Sequence, residues 1–338
     1  MKNGRLPYDQ QDVDAIIAKL PWRVRWICWA AKLCAFLTRR SNGTVNRTLL
    51  SWVTPKLPAT HTPNRGVYTR DAIIDPVTGV WVRLFIPVGE DERLPVVVYF
   101  HGGGFCLLSA AQQSYDIFCR RLAKRRRVVV LSVEYRLAPD HKFPAAYDDC
   151  FAALAWLNNA DVYDYLPRNA DLARCFLMGD SAGGNIVHHV GCRVAEGKEE
   201  LGAVRVVGHV LIQPFFGGEE RTPSEINLEN VPLITVELTD WFWRAFLPEG
   251  ASRDHPAANV SGPNCGDISA VELPPSLVVV GGVDILRDWQ LRYAEYLKKM
   301  DEEVKLIFYE EGIHGFHTMP YALSSQFIDD LSNFFNEV

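Results

Sequence analysis

From Val96 onward the chain alternates short, nearly continuous apolar runs with longer stretches of helical period. The runs are Val96 to Phe100, Val128 to Val133, Cys175 to Met178, Val207 to Ile212, Leu277 to Val280 and Val304 to Phe308. Their Val-rich character, with no polar alternation, predicts strands buried on both faces. Helical periodicity predicts helices near 114–126, 145–158, 181–196, 287–300 and 321–336. Strand and helix in alternation over this length predict a mostly parallel sheet with helices on both sides. Ahead of these runs, Gly66 to Thr69 and Val80 to Ile86 flank Asp75-Pro76-Val77-Thr78-Gly79, the pattern of a β-hairpin. Segment 214–260 carries no strong strand and reads as an excursion from the sheet, where pockets are often built.

Residues 1 to about 60 read as helical and irregular. Within them Trp22, Trp26, Trp29, Leu33 and Phe36 share one helix face. Arg23, Arg25 and Lys32 interrupt this apolar stretch, so it does not read as a membrane span. The face can pack on the domain, cover a pocket or lie on a membrane, and packing on the body of the protein is the default expectation. The simplest organisation is an N-terminal helical lid or cap over 1–60 and one α/β catalytic domain over 61–338.

Composition narrows the function. Hydrophobic residues make up 48% of the 338-residue chain, enough for a large core. A net charge of −6 speaks against nucleic acid as the main partner, because phosphate binding needs a basic surface. The basic run Lys124-Arg125-Arg126-Arg127 directly precedes an apolar strand and reads as a solvated helix end. The eight Cys include no C-x-x-C pair and no zinc-ligand spacing with His. Scattered Cys and a start without the apolar core of a signal peptide suggest reduced thiols in a cytoplasmic protein, with the nucleus as an additional location.

The chemistry concentrates in four places. Arg174 to Met178 is a short strand, Gly179-Asp180-Ser181-Ala182-Gly183 follows, and a helical stretch begins at Gly184. This is G-x-S-x-G in a strand–turn–helix setting, where a sharp turn projects the Ser181 hydroxyl and leaves no room for side chains two residues away. The alternative is a turn that carries Ser by chance. His101-Gly102-Gly103-Gly104-Phe105 follows the strand ending at Phe100. Three consecutive glycines are conformationally expensive and make sense where bare N–H groups must approach a ligand. The N–H groups of Gly103, Gly104 and Ala182 could hold a tetrahedral oxyanion, and loss of one such donor typically costs ~10²–10³ in rate.

A serine nucleophile needs a base and a group to orient it. His314, in the loop after the last predicted strand, is the best base, with His317 behind it. His101, His188, His189, His209 and His255 are assigned structural positions. Asp284, at the end of the Leu277 to Gly282 run, is the expected orienter, and Asp288 has a supporting or capping role at the next helix start. Ser, acid and His then follow one another in the chain order of the α/β-hydrolase fold.

Together these residues resemble the hormone-sensitive-lipase-like carboxylesterases, most closely the plant class I carboxylesterases. The resemblance spans nearly the whole chain and rests on His101-Gly-Gly-Gly-Phe105, Tyr135-Arg-Leu-Ala-Pro139, Pro144-Ala-Ala-Tyr-Asp148, Gly179-Asp-Ser-Ala-Gly183, Asp284-Ile-Leu-Arg-Asp288 and His314-Gly-Phe316. It implies an α/β-hydrolase fold with an N-terminal helical lid, and a triad of Ser181, Asp284 and His314. The implied reaction is hydrolysis of a small-molecule ester without metal or cofactor. Phe105, Tyr115 and Asp240 are implied to bind substrate. Stretches such as Asp240-Trp241-Phe242-Trp243 are similar to gibberellin receptors, which look like esterases that lost the catalytic His. Here His314 stands where they carry an apolar residue, and Gly104 where they carry Ser. A receptor-like binding protein, with a protein partner, and a lyase of the hydroxyisoflavanone dehydratase kind are the alternatives.

Overall fold

The computed structural model describes residues 10–40, 42–89, 93–228, 230–266, 268 and 271–338. Three helices come first: α1 (Gln10–Lys19), α2 (Trp22–Thr38) and α3 (Arg47–Val53). The hairpin follows as β1 (Val67–Asp75) and β2 (Val80–Pro87), paired antiparallel around a turn in which Gly79 takes a positive φ of 76°. The alternating part then runs β3 (Leu94–Phe100), α4 (Gln113–Arg126), β4 (Val129–Glu134), α5 (Ala145–Trp156), β5 (Ala170–Asp180), α6 (Ala182–Ala195) and β6 (Val206–Ile212). The excursion holds α7 (Pro223–Asn227) and α8 (Val236–Phe246). The chain closes with β7 (Ser276–Val283), α9 (Arg287–Lys299), β8 (Val304–Ile313) and α10 (Ala322–Glu337). Short 3-10 turns at Ala160–Asp164 and Phe316–Thr318 complete the described elements.

All eight strands form one sheet in the order β1-β2-β4-β3-β5-β6-β7-β8. β2 runs antiparallel to β1 and β4, and every other pairing is parallel. Sequence reasoning places every strand of the parallel part, and it shortens several because their polar ends break the apolar run. The Lys124–Arg127 run is a helix end: α4 stops at Arg126, Arg127 turns with φ 51°, and buried Val129 opens β4.

The central strands are buried on both faces because helices cover both. α6 lies on β5 and β6, α5 packs on α6, and α4 packs on α10. β7 is buried along its whole length, as its run of Val and Gly requires. Close packing extends to polar groups. The ring of His209 in β6 fills the space beside Gly191, where a Cβ would lie 2.4 Å from its Cε1.

One expectation is corrected. The face of α2 formed by Trp22, Trp26, Trp29, Leu33 and Phe36 does not pack on the body but is exposed. The opposite side, with Val24, Cys28, Ala35 and Thr38, is buried instead. The small, compact residues lie against the domain at short range, while the large aromatics fit only on the outside.

Burial lowers the pKa of several imidazoles, among them His188, His189, His209 and His317. The pKa of His209 is pushed down to about 3 and that of His317 to about 4, in both cases chiefly by desolvation. Unfolded imidazoles titrate near ~6.5. The unfolded chain therefore binds more protons than the fold between pH ~6.5 and ~4, and stability falls as pH drops through that window. Thermal unfolding is expected to show a Tm that declines from neutral pH toward pH ~4.5. His209→Leu should make this decline shallower, and an unchanged slope would argue against the assignment.

Candidate active site

Each site residue is the first residue after a strand. Ser181 follows β5, Asp284 follows β7 and His314 follows β8, all at the carboxyl edge of parallel strands. Ser181 has φ 52° and ψ −116°, a conformation that L-residues rarely adopt and that thrusts its hydroxyl out of the turn. The flanking glycines are sterically required. A Cβ at Gly183 would lie 1.9 Å from the carbonyl oxygen of Phe100, and one at Gly179 would lie 2.3 Å from that of Gly183.

Three side chains separated by up to 133 positions meet in one row. His314 Nε2 lies 3.0 Å from Ser181 Oγ, and His314 Nδ1 lies 2.8 Å from Asp284 Oδ2. Asp284 is fully buried and His314 nearly so. Burial disfavours a charged imidazole, yet the Asp284 carboxylate and its hydrogen bond outweigh that, leaving the His314 pKa raised above its ordinary 6.5.

The glycine loop is tied to the turn at Ser181 by a buried polar network. Tyr99 Oη donates to Asp180 Oδ1 at 2.6 Å, Tyr115 Oη donates to Asp180 Oδ2 at 3.0 Å, and Gly102 N donates to Asp180 Oδ1 at 3.0 Å. Gly102 N also donates to Tyr115 Oη at 2.9 Å. Asp180, the residue before Ser181, thereby clamps the start of the glycine loop. Gly103 and Gly104 have φ of 107° and 60°. Among the described residues no acceptor takes their N–H groups. Ala182 opens α6, so its N–H sits at the positive end of that helix.

Gln213 was missed from sequence. It follows β6 directly, carries a positive φ of 45°, and is buried. Its Nε2 donates to Asp284 Oδ2 at 2.9 Å and to the Ile313 carbonyl at 3.1 Å, while its Oε1 accepts from Gly315 N at 2.9 Å. One amide thus spans the acid and both neighbours of the imidazole. Gly281 makes room for it, since a Cβ there would lie 2.2 Å from Gln213 Nε2. Gln290 Nε2 and Leu286 N complete the shell of Asp284 at 2.8 and 2.9 Å. The only sequence signal was a lone polar residue closing an apolar strand.

Phe105, Tyr115 and Asp240, expected to bind substrate, have the following surroundings. Phe105 lies wholly in the core, stacked on Phe246 with centroids 3.7 Å apart. The Tyr115 hydroxyl is taken up by Asp180 and Gly102. Asp240 is held between Arg221 and Arg253, at 2.8 Å from Arg253 Nη1. His101 stacks on Tyr135, His188 faces the Tyr293 hydroxyl, His317 lies 3.3 Å from that of Tyr99, and Asp288 accepts from Ser224 N.

A sheet edge that assembles Ser, His and Asp beside a glycine loop defines an α/β hydrolase. A family model described as the alpha/beta hydrolase fold matches residues 97–318, and the chain belongs to that family. Within it the chain stands with the plant carboxylesterases close to the gibberellin receptors. It is 43% identical to the gibberellin receptor GID1C of Arabidopsis thaliana over 304 residues, covering 86% of each chain. It is 40% identical to probable carboxylesterase 6 of the same plant, covering 82% of this chain and 81% of that one. Among solved structures, an esterase of Pyrobaculum calidifontis matches with a TM-score of 0.70 at 30% identity over 97% of each chain.

Gln213 is expected to hold the His314 loop in register. In Gln213→Leu, the imidazole proton that His314 shares with Asp284 should broaden or vanish from the downfield proton NMR spectrum. Labelling of Ser181 by a fluorophosphonate should slow roughly tenfold to a hundredfold, the scale on which small misplacements act. An unchanged proton signal and an unchanged rate would show that Gln213 is packing alone.

Proposed function

We propose that this chain is a serine carboxylesterase that works through an acyl-enzyme on Ser181. The observation that carries the reading is the unbroken row from Ser181 Oγ through His314 to the buried Asp284. The likeness to carboxylesterases and to esterase structures supports ester hydrolysis.

In the first half-reaction the ester carbonyl carbon accepts the Ser181 oxygen while His314 Nε2 takes the hydroxyl proton. The carbonyl oxygen becomes an oxyanion, held by the N–H groups of Gly103, Gly104 and Ala182. Asp284 stabilises the imidazolium and fixes its orientation, and four hydrogen bonds, from Gln213, Gln290, Leu286 and His314 itself, keep the carboxylate in place. The tetrahedral adduct collapses, the C–O bond to the alcohol breaks, and His314 returns the proton to the leaving alkoxide. Water then attacks the acyl group with His314 again as base, releasing the acid and restoring Ser181.

A second reading, ligand binding of the gibberellin-receptor type, has its own support. The chain is 43% identical to such a receptor. Lys32 Nζ of α2 donates to the Val231 carbonyl at 2.6 Å, and Leu233 in the same loop approaches Gly315, so α2 is anchored beside the His314 loop. Against it stand the complete row and Gly104. A Cβ at Gly104 would lie 2.3–2.5 Å from three ring atoms of Phe242, so this site has no room for the Ser of the receptor-like pattern unless Phe242 moves.

Turnover of p-nitrophenyl acetate and butyrate tests the proposal. Ser181→Ala and His314→Ala are each expected to lower kcat by about 10³-fold or more. Because His314 must be neutral to act and its pKa is raised, kcat/KM should fall on the acid side with a midpoint above the ordinary imidazole range. No turnover by the wild type, together with tight gibberellin binding by calorimetry, would favour the second reading.

A further inference from the structure

The outer face of α2 has no counterpart in the esterase reading. Trp22, Trp26, Trp29 and Phe36 are 72%, 61%, 59% and 66% exposed, and Leu33 and Leu37 continue the stripe. In α3, which packs against α2, Trp52 is 77% exposed. The inner face of α2 is fully engaged: Val24 and Cys28 are buried, Lys32 donates to the Val231 carbonyl, and Arg39 just after the helix pairs with Glu237. The bare face is therefore presented by a helix whose orientation is fixed.

Charge shows what this face suits. Between Asp14 and Asp71 the chain carries ten Lys or Arg and no Asp or Glu, although the whole protein has a net charge of −6. At 100° per residue, Arg23 and Arg25 fall on opposite flanks of the Trp stripe, and both are exposed. Arg23 also lies over the Trp22 ring, 5.4 Å from its centroid. An apolar stripe of Trp, Phe and Leu edged by cations is the pattern of a helix lying in the interface of an anionic bilayer. A second copy of the chain fits poorly, because two such basic segments face to face repel one another. No described helix is long and apolar enough to cross a membrane, so contact would be along the surface.

We propose that α2 seats the protein on anionic lipid membranes, with Trp22, Trp26, Trp29 and Phe36 in the acyl–headgroup boundary and Arg23 and Arg25 on the headgroups. The inference is independent of the esterase reading, since its test reads binding and not turnover.

Flotation of the full-length protein with vesicles is the experiment. The protein should float with phosphatidylcholine vesicles containing phosphatidylserine, with a blue shift of Trp emission, and far less with phosphatidylcholine alone. Near 1 M salt, where the Debye length is ~3 Å, the preference for anionic vesicles should shrink. Arg23→Gln/Arg25→Gln should weaken partition about tenfold or more, given the contribution of each cation near a charged surface. Trp26→Ala/Trp29→Ala should weaken it at least as much, and because both side chains are exposed, Tm should hold. Three results would overturn the proposal. One is failure of the wild type to float with anionic vesicles. Another is flotation indifferent to both double variants. The third is a salt-sensitive complex with polyglutamate, or a dimer broken by the Trp pair, without vesicle binding.

Discussion

Four neighbouring parallel strands end at one edge of the sheet, and the residue that follows each strand is committed to the same small volume. In spatial order these residues are Ser181 after β5, Gln213 after β6, Asp284 after β7 and His314 after β8. The register sets Ser181 level with Gln213, because Asp180 pairs with Ile212, and Asp284 level with His314, because Val283 pairs with Ile313; Ile212 pairs with Val279, so the second pair stands beyond the first on strands that overrun the edge. Gln213 stands between Ser181 and Asp284 in strand order, and its amide reaches Asp284 and, beyond it, both neighbours of His314. The same edge continues to β3, whose next residue, His101, opens the glycine loop that Asp180 holds. Strand ends thus position both His314 and the glycine loop.

Backbone strain is concentrated where this edge meets solvent. Ser181 and Gln213 both take positive φ, and the cost of such conformations, typically of order 1–3 kcal/mol each, is offset by hydrogen bonds on every side. Ser181 N donates to the Ile212 carbonyl and the Ser181 carbonyl accepts from Phe215 N, which stitches the elbow to the end of β6. Buried polar groups are worth keeping only when they are satisfied. The two networks around Asp180 and Asp284 meet that condition through tyrosine hydroxyls and glutamine amides that face inward from the sheet, from α4 and from α9.

The strands of the parallel sheet were legible because burial on both faces leaves an unbroken apolar signature. Ser181, Asp284 and His314 were legible because their motifs sit at strand ends, where glycine marks a tight turn. Gln213 and the clamp role of Asp180 were not, since a single polar residue gives no period and its partners are set by tertiary contact. The direction of the Trp face on α2 was also hidden. Periodicity defines a face but not what lies opposite, and here the smaller residues pack inward.

In an acyl-enzyme mechanism the Ser181 oxygen must carry the acyl group during turnover. Acid quenching within the first turnover of a p-nitrophenyl ester, followed by peptide mass analysis, addresses this directly. The expected result is one acyl group on the peptide containing Ser181, absent from Ser181→Ala and accumulating in a variant slowed at deacylation. Ester cleavage at full rate with no acyl group ever found on that peptide, or with the group on another residue, would contradict the account.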